Sequence, residues 1–129
     1  MVELGDEGMA RIREAYDAFN RGDFEAASVL FHPEIVWHRV AEVEGPFKGA
    51  DAATDHLRPD VFSSQRNEVH SIEVIGDCVL VDCTFHGEGS TSGIRLDQRG
   101  FHLWRMRDGM AIEFRYFLDR DQAVAAAMA

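Results

Sequence analysis

The chain has 129 residues and a formal net charge of −10, from 23 acidic and 13 basic side chains. That length supports one domain with one real core, residues 1–129, and the charge excludes the clustered Lys and Arg on which a nucleic-acid partner depends. No apolar run approaches membrane-spanning length and the N-terminal MVELGDEG lacks a signal-peptide pattern, so a cytoplasmic protein with no membrane partner is expected.

Met9, Ile12, Tyr16 and Phe19 recur at three- and four-residue steps between Glu7 and Asn20, one face of an amphipathic helix that Gly22 stops. Asp23 suits the cap of a second helix with the stripe Phe24, Ala27, Leu30 and Phe31, closed by Pro33. The β-branched and aromatic run 34–40 reads as a strand, and a loop rich in turn formers follows it. Residues 50–58 read as a short helix ending before Pro59, and 60–65 as irregular or a last helical turn.

Residues 67–75 and 78–88 read as strands joined by a type II′ turn at Gly76-Asp77. In the second strand Val79, Val81, Cys83 and Phe85 share one face, and Leu80, Asp82, Thr84 and His86 the other. Cys78 and Cys83 therefore point to opposite faces and read as reduced thiols that cannot bridge each other. Opposed positions in this hairpin sum to 153, which sets His86 against Asn67 and His70 against Cys83. The small, polar, glycine-rich segment before Phe101 reads as a flexible connection or a splayed strand edge.

Residues 100–121 form the strongest local signal, two apolar runs around Asp108-Gly109, the sequence of a type I′ turn. With a two-residue loop, opposed positions sum to 217. Phe101, Leu103 and Arg105 then share the inner face with Tyr116, Phe114 and Ile112, while His102, Trp104 and Met106 face outward. Apolar groups on both faces require cover on both, which is expected from the chain itself on one side and a second copy on the other. Arg105 is the weak point of this register, because an outward Arg105 implies a bulge that reverses the whole strand. Asp119, three residues before Gln122, caps a terminal helix over 119–128. Helices segregated to one face of an antiparallel sheet make an α+β layer fold.

The run AYDAFNRGDFEAASVLFHPEIVWH, the later hairpin and the closing unit LWRMRDGMAIEFRYFLDRDQAVAA resemble the SnoaL-like branch of the nuclear transport factor 2 and ketosteroid isomerase superfamily. The anchors of the likeness are Asn20-x-Gly22-Asp23, Phe31, Trp37, Gly49, Asp108-Gly109 and Asp119. It implies a cone-shaped curved antiparallel sheet wrapped around helices (NTF2-like, a cystatin-like α+β barrel) with an apolar cavity. Members include isomerases, cyclases, epoxide hydrolases, dehydratases and non-catalytic modules, so the fold alone licenses no function. The catalytic positions of the steroid isomerases fall at Arg39, Ala15 and near Phe101, and none carries the required group. Nor is the Asp-Arg-Asp set of limonene-type epoxide hydrolases present, its last-strand Asp falling at Tyr116.

With the cone accepted, Phe19, Trp37, Val81, Cys83, Phe85, Phe101, Leu103, Phe114 and Leu118 are expected to line a site for a small hydrophobic ligand, or simply to fill the core. Tyr16, His38, Arg39 and Tyr116 are the candidate catalytic groups. Each tyrosine brings a hydroxyl that needs a partner when buried, and an inward guanidinium needs a carboxylate or an anionic ligand group, with Glu42, Glu44 and Asp55 at hand. His38 reaches the cavity only if a bulge separates it from Arg39. His102 and His86 are expected outside, and Asp119 is read as a helix cap. The six histidines include no His-x-His or His-x-x-x-His pair, so no metal and no cofactor are expected. Two functions stay open: a SnoaL-like isomerase, cyclase or hydratase working by proton transfer, and a non-catalytic ligand-binding or dimerisation module. Both expect a homodimer through the outer sheet face, at Trp104, Met106 and Leu80.

Overall fold

A computed structural model describes residues 6–38, 46–58 and 62–129. Within them the chain runs α1 (Asp6–Asn20), α2 (Phe24–Ala27) continued by a 3-10 turn (Ser28–Leu30), β1 (Phe31–Trp37), β2 (Phe47–Lys48), α3 (Ala50–Leu57), β3 (Phe62–Ile75), β4 (Cys78–Gly89), β5 (Arg95–Arg107), β6 (Met110–Phe117) and α4 (Arg120–Met128). The strands form one sheet in the order β2-β1-β6-β5-β4-β3. The expected antiparallel meander from β3 to β6 is present, and β1 adds to it parallel to β6, so the sheet is mixed rather than wholly antiparallel.

Both tight turns follow their residues. Asp108 and Gly109 have φ of 52° and 78°, as a type I′ turn requires, and Gly76 alone has positive φ in its turn, as type II′ requires. The β5–β6 register keeps the sum of 217 for only two pairs, Arg107 with Met110 and Met106 with Ala111. The next pair is Arg105 with Glu113, so Ile112 is an extra residue and every pair beyond it sums to 218. This bulge corrects the expected faces of β5. His102, Trp104 and Met106 point inward with Tyr116 and Phe114, and Phe101, Leu103 and Arg105 point outward. The physical reason lies in Arg105: outside, its guanidinium meets Asp77 Oδ1 (2.8 Å), Glu113 Oε1 (3.4 Å) and the Ala126 carbonyl (3.3 Å). Inside, it would have been a buried charge among apolar groups.

A second bulge falls at His70. Pairs from Ile75–Cys78 to Ser71–Asp82 keep the sum of 153, after which Val69 pairs with Cys83. His86 therefore sits opposite Arg66 rather than Asn67, and Val69 rather than His70 opposes Cys83. The glycine-rich stretch, expected as a flexible connection or a splayed strand edge, is a strand hairpin, closed by Gly89 N–H to the Ile94 carbonyl (2.9 Å), with strand pairing from Glu88–Arg95 onward. Residues 62–65, expected to be irregular, extend β3. Phe31 opens β1 rather than ending a helix. The pairing of β1 with β6 breaks between Phe31 and Val36, a span that includes Pro33, which has no N–H to donate.

Two apolar layers result. On the inner side α1 packs over the face of the sheet that β1, β6, β5 and β4 present, around Ile12, Tyr16, Ile35, Trp37, Val81, Trp104 and Phe114. On the outer side α4 lays Ala123 and Ala127 against Cys78, Leu80 and Leu103. Alanines let that helix approach closely, and two arginines strap it down, Arg120 to Glu73 (2.6 Å) and Arg105 to the Ala126 carbonyl. The hairpin apolar on two faces is thus covered on both by its own chain. Trp104 and Met106, the residues that motivated a partner subunit, are interior, and Leu80 lies under α4.

Gly100 explains how Tyr116 fits against β5. A Cβ at that position would lie 2.1 Å from Tyr116 Oη and 2.4 Å from its Cζ. Gly100→Ala is expected to lower stability by about 1–3 kcal/mol in urea denaturation. That cost should largely vanish in a Tyr116→Ala background; an equal cost in both backgrounds would show that the two residues do not share this space.

Candidate functional site

Between α1 and the inner face of the sheet lies an open-mouthed pocket with a cavity volume of about 50 Å³. Ile12, Tyr16 and Phe19 form its α1 side, Phe31 and Trp37 its β1 side, and Leu57, Asn67 and Trp104 complete it. The aromatic wall is continuous: Trp37 stacks on Phe114 at 4.0 Å between ring centres, and Trp104 meets Trp37 edge-on at 5.7 Å and Phe31 in a stack at 5.9 Å.

One chain of polar groups crosses this wall. Trp104 Nε1 donates to Tyr16 Oη at 2.8 Å, and Tyr16 Oη lies 2.7 Å from His102 Nδ1. An indole nitrogen only donates, so Tyr16 accepts from Trp104; its own proton finds an acceptor among the described residues in His102 Nδ1, which assigns the direction of that bond. Nδ1 is then the bare nitrogen of a neutral imidazole whose proton sits on Nε2, 3.5 Å from Cys83 Sγ. Burial fixes the protonation of every member. It lowers the pKa of His102 to about 4, pushes that of Cys83 up to about 12 and raises that of Tyr16 well above its ordinary value. Tyr116, which packs on His102 at 5.4 Å, is raised by burial as well. At neutral pH the site is uncharged.

Asn67 is the other polar residue of the pocket wall. It is 9% exposed, and no donor among the described residues reaches its Oδ1. Its backbone is held by Asn20 at the end of α1, whose amide donates to the Asn67 carbonyl (2.8 Å) and accepts from its N–H (2.7 Å). Asn20 thereby takes the place of a neighbouring strand along the free edge of β3.

Of the residues expected at the site, Tyr16, Phe19 and Trp37 line the pocket, and Val81, Cys83, Phe114 and Tyr116 lie behind it in the same core. Phe85 is half-buried against Phe62 at 5.3 Å. Phe101 and Leu103 lie on the opposite face under α4, a consequence of the bulge at Ile112, and Leu118 is 60% exposed beyond the end of β6. His38 points away from the cavity, its Nε2 on Glu113 Oε2 at 2.9 Å. Arg39, with Glu42 and Glu44, lies outside the described residues. Asp119 accepts from the N–H groups of Asp121 (2.7 Å) and Gln122 (3.2 Å), so its carboxylate is engaged in capping α4.

Sequence reasoning missed His102, Trp104 and Asn67. The signal for the first two was the Arg105–Glu113 pair, which only the bulged register places face to face. For Asn67 it was the spacing of Val69 and Ile72, two inward residues three apart on one strand, which betrays the bulge at His70. Among the described residues no group of three His, Cys, Asp or Glu is placed to hold a metal ion, and no helix is long and apolar enough to cross a membrane.

The depressed pKa of His102 makes stability depend on pH. As pH falls below 6.5 the unfolded chain takes up a proton that the folded chain refuses until about pH 4. This contribution is therefore full above pH 6.5 and drains away on acidification, by about 3 kcal/mol. Denaturation at pH 7 and pH 4 should show the wild type losing about that much more than His102→Gln; parallel losses would contradict a buried neutral imidazole.

The SnoaL-like domain family matches the chain over residues 12–114. No curated protein matches it in sequence. Solved structures share the fold at low identity. A protein of unknown function from Burkholderia pseudomallei, like nuclear transport factor 2, superposes with a TM-score of 0.76 at 22% identity, over 97% of this chain and 100% of the other. A putative SnoaL-like polyketide cyclase from Jannaschia sp. gives 0.75 at 20%, over 100% and 96%. An epoxide hydrolase of the LEH-like type from M. tuberculosis gives 0.74 at 15%, over 98% and 95%. With a family match that spans most of its length, the chain belongs to the SnoaL-like domain family.

Proposed function

We propose that the pocket binds a small, uncharged, predominantly apolar molecule between the aromatic wall and α1. One observation carries this reading: the polar chain Trp104–Tyr16–His102 is complete within the protein and neutral at physiological pH. It offers a ligand no charge to pair with. The alternative, proton-transfer catalysis, would have to run through the same tyrosine and histidine. A base that protonates near pH 4 and a phenol that ionises well above 10 are both poorly matched to that task at neutral pH, and His38 faces the other side of the sheet. Binding is therefore the better-supported function. The structural neighbours described as a polyketide cyclase and an epoxide hydrolase support a small organic molecule as the class of ligand.

The chain has two tryptophans, Trp37 and Trp104, and both line the pocket, so their fluorescence reports on occupancy. Toluene should change it saturably. Benzoate, the same ring carrying a charge that this pocket cannot compensate, should bind at least about tenfold more weakly. No saturable response to toluene, or equal binding of benzoate, would contradict the proposal.

A further inference from the structure

We infer that the last turn of α3 is the door of the pocket: Leu57 swings outward to admit a ligand, and the contacts that hold this turn shut set how readily one enters. The inference rests on the reading of the pocket as a site for a small apolar molecule and adds how that site opens. Its starting point is size. An apolar cavity that holds a benzene ring measures about 150 Å³, and this one has about 50 Å³. A ring-sized ligand is therefore taken in only if a wall gives way.

The walls are not equally free to move. Every lining residue is buried except Ala15 and Leu57, so the mouth lies at these two, one on α1 and one in the last turn of α3. The α1 side is fixed, because Tyr16 beside Ala15 is bonded to Trp104 and His102, and Asn20 ties the helix end to β3. Within α3, Ala53 is fully buried and anchors the helix, whereas Leu57 is half-buried. Among the described residues, the polar contacts of that last turn lie at or near the surface. Gln65 Nε2 donates to the Leu57 carbonyl (2.8 Å), and Arg58, which ends the helix in extended backbone, pairs with Glu25 (2.5 Å) and lies over the Phe24 ring (5.8 Å). Contacts of this kind are weaker than the buried bonds of α1, so opening costs least here. They reach to β3 and α2 and break when the turn swings out. A ligand that needs the open turn is bound more weakly in proportion to the molecules that are closed.

Toluene tests this in two ways. Hydrogen exchange on wild-type protein should show the Arg58 amide, which donates to the Asp55 carbonyl (3.2 Å) in the closed turn, exchanging at least about fivefold faster when toluene saturates the pocket, with the Tyr16 amide unchanged. In stopped-flow tryptophan fluorescence, Gln65→Ala combined with Glu25→Gln should raise the association rate and tighten toluene binding by about three- to tenfold, with the dissociation rate unchanged. Leu57→Ala, which removes the door, should also tighten binding and abolish the effect of Gln65→Ala. Weaker or unchanged binding in the latch variants, a Gln65→Ala effect that persists in Leu57→Ala, or Arg58 exchange that stays the same or slows with toluene, overturns the inference. The exchange measurement uses wild-type protein alone, so it decides the matter even if a variant does not fold. If toluene binds without these effects, the inference falls and the apolar pocket stands; if toluene does not bind, the pocket reading falls and takes the inference with it.

Discussion

The hydroxyl of Tyr16, held between Trp104 Nε1 and His102 Nδ1, joins the middle of α1 to the inner face of β5. Three polar groups are buried there, and each is satisfied only if the helix sits at this height and β5 shows this face. That face is available because Ile112 is bulged out of β6, which turns Trp104 and His102 inward and sends Arg105 out. Outside, Arg105 gains Asp77, Glu113 and the end of α4, and the apolar residues displaced to that face, Phe101 and Leu103, are covered by the alanines of the same helix. One bulge thus coordinates the inner hydrogen bonds, the outer ion pairs and the docking of the last helix.

The two faces of the sheet use opposite electrostatics. Inside, burial removes charge from every group around Tyr16. Outside, beyond α4, charges alternate across the strands: His86 lies between Asp97 (2.5 Å) and Glu68 (2.9 Å), and Arg99 forms two bonds to Asp82. The carboxylates raise the pKa of His86, first through Asp97, whereas burial lowers that of His102. Exposed pairs of this kind contribute little each to stability, and their effect here is to keep the open part of that face hydrated. The sheet thus presents a neutral inner wall and a charged outer face.

The sequence made the fold legible wherever local chemistry decides geometry. Asp108-Gly109 and Gly76-Asp77 specified their turns, Asp23 and Asp119 their caps, and the alternation of Val79, Val81 and Cys83 the inner face of β4. It failed where one residue of register matters. The segment FHLWRMR carries apolar groups in both phases, so hydrophobicity alone cannot say which phase is inside. Charge could have decided it, because only the bulged register gives Arg105 a carboxylate across the strand. Asn67 was hidden for the same reason, by the extra residue at His70. The site was therefore half visible: Tyr16, Phe19 and Trp37 follow from helix and strand periodicity, while Trp104, His102 and Asn67 depend on long-range register.

The central claim is that Tyr16 donates its proton to a neutral His102 and so closes the polar side of the pocket. Long-range nitrogen–proton correlation spectra of the imidazole at pH 7 read this directly, since they distinguish the two ring nitrogens. The account predicts that Nδ1 of His102 is bare and Nε2 carries the proton. A proton on Nδ1, or an imidazolium with protons on both nitrogens, would contradict it.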